Sequence, residues 1–104
     1  MIYKIVVTPD AIENIENAIN YYKKEVSTPV AKLFIEDFKK TFKDIKKTKY
    51  FQFFFKDFRG KPMKKFPFIV FYTIDEDLKI IVIKAVFHTS QNTDKYPLLS
   101  LIHI

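Results

Sequence analysis

The amino-acid sequence predicts an α+β fold: an N-terminal strand, a helical hairpin, and an antiparallel three-stranded meander that forms one sheet with the hairpin on one face. Three observations predict this class. A short β-branched run opens the chain, two segments with helical spacing follow it, and the apolar period changes to two after residue 50. We interpret residues 1–104 as a single domain, with residues 89–104 as a C-terminal tail.

The first half of the chain carries one strand and two helix starts. Residues 2–7 are apolar and β-branched, which is typical of a strand. Thr8 is a good N-cap, and Pro9 suits the first helical position because an N–H there would have no helical partner. Thr28 and Pro29 repeat this signal, and apolar residues at spacings of three and four follow both pairs. Two helices separated by so few residues are expected to pack antiparallel.

The second half of the chain predicts the meander. Residues 53–58 are predicted as a strand and 59–62 as a break or bulge, with 63–66 as a candidate continuation. Residues 68–74 and 78–87 are predicted as two further strands separated by a charged turn. We expect the first strand to join the sheet near the last one. The conformation of the tail is left open, since it begins polar and ends apolar.

The composition excludes several classes of protein. The chain has 104 residues and 48% of them are hydrophobic, which is too apolar for a disordered chain. It has no cysteine and one glycine, which excludes disulfide scaffolds, thiolate metal sites and glycine-rich phosphate loops. No apolar run is long enough to span a membrane, and the first residues do not resemble a secretion signal. We therefore expect a soluble cytoplasmic protein with no membrane partner, metal or cofactor.

The positive charge is concentrated in one part of the chain. The net charge is +6, and residues 39–66 hold eleven Lys or Arg against two acidic residues. This segment therefore carries +9, while the remainder carries −3. Such a concentration of charge speeds encounter with anionic partners, and nucleic acid and an acidic protein segment are both candidates. A solvated lysine-rich face without a partner is the third interpretation.

Three stretches of the chain carry a family resemblance. The first is residues 3–11 with the pair Tyr21–Tyr22. The second is Arg59 followed by residues 63–75, and the third is residues 86–90. Taken in this order, they resemble the RelE/ParE toxins of type II toxin–antitoxin systems, which are of the plasmid-stabilisation type. The resemblance covers nearly the whole chain and implies the fold predicted above.

The resemblance implies a basic toxin that a cognate antitoxin holds inactive in a hetero-oligomer. RelE-like members cut messenger RNA in the ribosome without a metal, whereas ParE-like members block DNA gyrase and perform no chemistry. Our first interpretation is growth inhibition through translation, by a metal-independent endoribonuclease of the mRNA interferase type. Two alternatives stay open, a ParE-like gyrase inhibitor and an inactive member that keeps only the fold.

Metal-free RNA cleavage needs three groups around one phosphate. One helps the 2′-hydroxyl attack, one stabilises the added charge, and one protonates the leaving oxygen. The catalytic residues that the resemblance implies are Arg59, Lys65, His88 and Tyr96. Further lysines lie close to Arg59 and Lys65, where the positive charge is concentrated, so the predicted nucleic-acid-binding residues are Lys56, Arg59, Lys61, Lys64, Lys65 and Gln91.

Two positions depart from the family pattern. Gln91 stands where the family often has arginine, and Phe54 stands where related sequences often carry a basic residue. Both changes remove positive charge, so we expect cleavage to be weakened, because a neutral amide stabilises a phosphate less than a charged donor does. Arg59 also has a structural alternative, as the ion-pair partner of Asp57 or Asp75.

Overall fold

The computed structural model describes residues 3–89, which form a five-stranded sheet with two helices on one face. The elements are β1 (Lys4–Val7), α1 (Pro9–Glu25), α2 (Thr28–Lys47), β2 (Phe53–Phe55), β3 (Phe58–Pro62), β4 (Phe68–Asp75) and β5 (Ile80–His88). The predicted α+β class is confirmed. The predicted tail, residues 89–104, lies outside the described residues apart from Thr89.

Both helices begin at a capping side chain. Thr8 Oγ1 accepts a hydrogen bond from the Ala11 N–H (3.2 Å), as the sequence predicts. The second helix is capped by Ser27, whose Oγ accepts from the Val30 N–H (3.3 Å), and Thr28 is its first helical residue. Because only two residues separate the helices, they pack against each other as an antiparallel hairpin.

The sheet has the strand order β1-β5-β4-β3-β2. β1 lies at one edge and pairs parallel with β5, from Lys4 opposite Ile80 to Val7 opposite Ile83. The other neighbours in the sheet pair antiparallel. The expected position of the first strand beside the last is thus confirmed, and its parallel pairing makes the sheet mixed.

The largest difference from the prediction lies just after α2. The segment predicted as one strand over 53–58 is two strands, β2 and β3, joined by a turn at Lys56 and Asp57. Lys56 has a φ of 49°, in the left-handed region, which is uncommon for lysine and gives no sequence signal. Residues 59–62, predicted as a break, lie in β3, and residues 63–66 are not strand. The meander β2–β5 therefore has four strands.

The main core lies between the helical hairpin and the sheet. Its fully buried side chains include Phe34 of α2, Val70 and Tyr72 of β4, and Ile81 and Ile83 of β5. Several apolar side chains at the helical spacing of α1 pack against the same cluster. The hydrophobic burial of these side chains is the main force that holds the hairpin on the sheet.

A β-bulge in β5 keeps apolar side chains on the core side both before and after it. Tyr72 pairs with Ile83, while the residue before Tyr72 pairs with Ala85, so Lys84 is an extra residue in β5. Because of this extra residue, Val86 packs in the same core cluster as Ile83, although three positions separate them.

The opposite face of the sheet has a smaller apolar cluster. Its buried residues are Ile69, Phe71 and Ala85, with Phe54 and Phe87 packed against them. The rings of Phe54 and Phe71 meet edge to face, with 5.4 Å between their centroids. A Cβ at Gly60 would come within 2.6 Å of the Phe54 ring, so the glycine at this position lets the ring lie close to β3.

Candidate functional site

Arg59 lies on β3, opposite Tyr72 of β4, and its side chain extends toward the residues that join α2 to β2. Its Nη1 donates a hydrogen bond to the carbonyl oxygen of Phe51 (2.7 Å). Its guanidinium carbon lies 3.8 Å from the ring centroid of Phe53 and 5.2 Å from that of Tyr50. The guanidinium is therefore held by a carbonyl and by two aromatic faces, a cation–π arrangement.

The Tyr72 hydroxyl holds the same residues from the core side. It donates to the carbonyl oxygen of Lys49 (2.6 Å) and accepts from the N–H of Phe51 (3.3 Å). Burial raises the pKa of the Tyr72 hydroxyl, so it remains a donor near neutral pH. We call residues 49–53, which Tyr72 and Arg59 fix in place, the anchored segment.

Glu76 links the anchored segment to the start of the chain. Its carboxylate accepts from the Tyr3 hydroxyl (2.7 Å) and from the Tyr50 hydroxyl (3.1 and 3.2 Å to its two oxygens). The bond from Tyr3 is the main cause that lowers the pKa of Glu76, and the same bond raises the pKa of Tyr3. The ammonium groups of Lys49 and Lys79 lie 4.6 and 5.7 Å from the centroid of the Tyr3 ring.

Lys61 and Lys56 belong to the same β2–β3 hairpin. Lys61 lies two positions after Arg59, and its Nζ is 5.0 Å from the centroid of the Phe51 ring. Lys56 is exposed in the turn between the two strands. The basic residues predicted on this part of the chain therefore lie around the anchored segment or at the turn beside it.

Lys64 and Lys65 lie in the turn between β3 and β4, beside α2, and both side chains are exposed. Asp37 of α2 is buried, and its Oδ2 accepts from the backbone N–H groups of Lys65 (2.8 Å) and Phe66 (3.0 Å). The Lys65 side chain borders a small hollow together with Lys40 of α2. Asp37 therefore fixes this turn against the helix while leaving the two ammonium groups at the surface.

His88 lies at the end of β5, opposite Phe68, and the two rings meet edge to face with 5.0 Å between their centroids. It borders a cleft of about 360 Å³ between α1 and β5, whose polar lining includes Asn14, Asn17 and Tyr21. No lysine or arginine is among the described residues that line this cleft. The imidazole and the predicted phosphate-binding cations are therefore in different surroundings.

The predicted catalytic residues that the structure describes do not converge. The β4 partners of Arg59 and His88 are four positions apart, about 13 Å along the strand, and β3 and β5 flank β4, about 10 Å apart. Arg59 extends toward β2, away from β5, and Lys65 lies beside α2. One phosphate cannot contact Arg59 and His88 together in this arrangement. The remaining predicted residues, Gln91 and Tyr96, lie outside the described part of the chain.

Phe54 lies on the sheet face opposite to Arg59. It belongs to the small cluster with Phe71, whereas Arg59 shares its face with Tyr72 in the main core. The expected loss of charge at residue 54 therefore does not affect the surroundings of Arg59, because a lysine at this place on β2 would extend from the other face.

Sequence patterns do not reveal the polar side chains that fix the backbone here. Asn14 Oδ1 accepts from the N–H of Val86 (3.0 Å), beyond the point where β1 ends. Asp37 is the exception, because its helical spacing from Phe34 and Thr41 places its carboxylate on the buried face of α2, and this pattern can be seen in the sequence. A charge at such a position indicates a required hydrogen-bond partner.

Within residues 3–89, no group of three or more His, Asp or Glu side chains is arranged to hold a metal ion. None of the described helices is both long and apolar enough to cross a membrane.

The chain matches the model of one known protein family over most of its length. A model of the family described as ParE toxin of type II toxin–antitoxin system, parDE, matches residues 5–93. The chain belongs to this family. The match confirms the resemblance to RelE/ParE toxins. No curated protein matches the chain.

Solved structures show the same fold. The chromosomal ParDE toxin–antitoxin system from P. aeruginosa matches with a TM-score of 0.75 and 13% identity, covering 86% of this chain and 98% of that chain. The isolated E. coli RelE toxin matches with a TM-score of 0.58 and 10% identity, covering 96% and 98%. The RelBE2 toxin–antitoxin complex from Mycobacterium tuberculosis matches with a TM-score of 0.54 and 14% identity, covering 85% and 99%.

Proposed function

We propose that this toxin inhibits growth by binding DNA gyrase without catalysis, and that a cognate antitoxin neutralises it in a hetero-oligomer. The observation that carries the proposal is the divergence of Arg59, Lys65 and His88. Metal-free cleavage needs its acid, base and charge-stabilising groups around one phosphate, whereas a binding protein has no such requirement. The match to the ParE toxin family supports the same choice of target.

The surface around Arg59 has the composition of a protein-binding site. Tyr50 and Phe53 flank the guanidinium and are 54% and 55% exposed. Tyrosine and arginine are enriched among the residues that dominate protein–protein binding energies. This surface is also rigid, because the Tyr72 hydroxyl and Glu76 hold the backbone and the Tyr50 side chain. A preformed aromatic surface loses little conformational entropy when a protein partner binds.

An antitoxin partner is supported by the relatives that share the fold. Two of the structures described above come from a ParDE toxin–antitoxin system and from a RelBE2 toxin–antitoxin complex. We expect the reading frame next to this gene to encode the antitoxin. Its coexpression is expected to restore growth and to yield a complex that copurifies with this chain.

Cleavage of messenger RNA in the ribosome is the second candidate function. It is favoured by Arg59 and Lys61, which lie two positions apart on the same face of β3, about 7 Å along the strand, and so supply two cations for a nucleic-acid backbone. This arrangement supplies charge stabilisation, but the described residues beside it supply no imidazole.

The two functions are separated by two assays on the purified full chain. We expect inhibition of plasmid supercoiling by gyrase, and no cleavage of a message in a ribosome-dependent translation extract. The double variant Lys65→Gln/His88→Gln is expected to retain growth inhibition, because neither side chain belongs to the Arg59 surface. Lys4→Gln, an exposed lysine on β1, is the control for the charge change. The RelE-like function would replace this proposal if the unaltered chain cleaved the message and did not inhibit gyrase, and if the double variant no longer cleaved the message.

A further inference from the structure

The outer face of the second half of α2 carries a row of lysines. The buried positions of this helix are Ala31, Phe34, Asp37, Thr41 and Ile45. Helical spacing places the following side chains on the opposite side, and all of them are exposed: Lys39, Lys40, Lys43, Lys46 and Lys47. We call these five residues the α2 basic face. They span about 12 Å of helix axis, and the one acidic residue within this span, Asp44, is half-buried.

The turn between β3 and β4 adds charge to this face. Asp37 holds the backbone of Lys65 and Phe66 against α2, with bonds of 2.8 and 3.0 Å. Lys64 and Lys65 are exposed in that turn, and Lys65 borders the same hollow as Lys40, at the start of the lysine row, where Leu33, Glu36 and Asp37 complete the lining. The folded chain therefore places cations from two distant parts of the sequence beside each other. This surface is separate from the Arg59 surface, which lies around the anchored segment.

The composition of the α2 basic face distinguishes between kinds of partner. The large apolar side chains that are exposed in the described chain all lie outside residues 39–47, and the nearest on this helix is Leu33. Protein interfaces are usually depleted of lysine at their core and contain apolar or aromatic anchors. Binding of single-stranded nucleic acid relies on exposed aromatic rings that stack on the bases. A straight row of lysines without such groups fits the phosphate backbone of a duplex, which lysine contacts without reading the sequence.

We propose that the α2 basic face binds the phosphate backbone of double-stranded DNA without sequence preference. This inference goes beyond the proposed contact with gyrase, and it does not depend on which target the toxin inhibits. Each lysine that neutralises a phosphate releases condensed counterions, so the affinity must fall steeply with salt. The exposed row on one rigid helix is the geometry that permits several such contacts at once.

The test is fluorescence anisotropy of a short labelled DNA duplex of mixed sequence with the full chain over a range of salt concentrations. The variant Lys39→Gln/Lys43→Gln/Lys46→Gln is expected to bind at least about tenfold more weakly at low salt, and to reduce the slope of log affinity against log salt by about 2 to 3. The matched control is Lys4→Gln/Lys23→Gln/Lys24→Gln, which removes the same charge from exposed lysines outside the face. It is expected to change the slope little.

Three results would overturn the proposal. One is an equal loss of affinity in the variant and in the control, which would mean that only the net charge matters. Another is tighter binding of a single-stranded RNA of equal length through the same three lysines. The third is tighter binding of a polyglutamate chain that the variant loses, which would assign the face to an acidic protein. Thermal unfolding of both variants, expected to match the unaltered chain, checks that the fold is retained.

Discussion

The β4–β5 pair and the β2–β3 hairpin lie in one sheet but are stabilised by different interactions. β4 is buried along its first five residues, and eight of its residues pair with β5. β2 has three residues, a register shift, and a partner strand whose Arg59 side chain bonds to a loop carbonyl. The first pair is held mainly by apolar burial, and the second by a few directional contacts. Loss of one polar side chain, such as that of Arg59, should therefore loosen the hairpin and leave the central pair largely unaffected, whereas loss of apolar burial should destabilise the central pair most.

The largest expected effect is the loss of apolar burial in the core that covers β4 and β5. Phe34 is fully buried and its ring packs against Phe68 with 5.2 Å between the centroids. Phe34→Ala is expected to reduce the free energy of unfolding by about 3–5 kcal/mol. Urea denaturation measures the change. Lys43→Ala, on the outer face of the same helix, is the control and is expected to change it by less than about 0.5 kcal/mol. Equal losses would contradict the assigned faces of α2.

A smaller effect is expected in the hairpin, where Arg59 fixes the anchored segment. Arg59→Ala removes the bond to the Phe51 carbonyl and the stacking on Phe53, and is expected to cost about 1–3 kcal/mol. Hydrogen exchange should show faster exchange confined to residues 49–62, with β4 and β5 still protected. Arg59→Lys keeps the charge but loses the planar stacking, so its free energy of unfolding is expected to lie between that of the unaltered chain and that of Arg59→Ala. Exchange that rises equally throughout the sheet would refute a local role.

The smallest expected effect concerns the pH dependence of the contacts around Glu76. Its pKa in the folded protein is lowered, mainly by the bond from Tyr3, so the unfolded chain binds a proton more readily. The stabilisation is therefore complete above the ordinary glutamate pKa of about 4.3 and is lost as the pH falls through the folded value. The stability advantage of the unaltered chain over Glu76→Gln is expected to stay constant from neutral pH down to about 4.3 and to decline as the pH falls further. A difference that does not change with pH would exclude this role.

The opening strand and the two helices that follow it, the start of α1 and the two long strands could be predicted from the sequence. These features depend on local signals. Thr8 caps α1 by accepting a hydrogen bond from the N–H of Ala11, three positions later, and apolar runs mark β4 and β5. The apolar face of α2 could also be predicted. Its spacing could not distinguish Phe34, which is fully buried, from Phe38, which is partly buried, because both lie on the same helical face.

The predicted catalytic set was the part that sequence alone could not test. Arg59, Lys65 and His88 were assigned by resemblance, and their separation depends on the register of three strands and on the β3–β4 turn. Lys56, which separates β2 from β3, has a left-handed backbone conformation, but this position holds neither the glycine nor the asparagine that would indicate such a turn in the sequence. The short strands β2 and β3 were therefore the least predictable, since neither their period nor their turn residues were distinctive.

The sequence by itself determined the two helices and their apolar faces, the two long strands β4 and β5, and where the positive charge is concentrated. Only the tertiary structure decided how that charge is divided between the α2 basic face and the Arg59 surface. The division depends on contacts between residues far apart in the chain, such as Asp37 with the N–H of Lys65 and Tyr72 with the carbonyl of Lys49. Such contacts leave no periodic pattern in the sequence, because each is made by a single side chain with a residue many positions away.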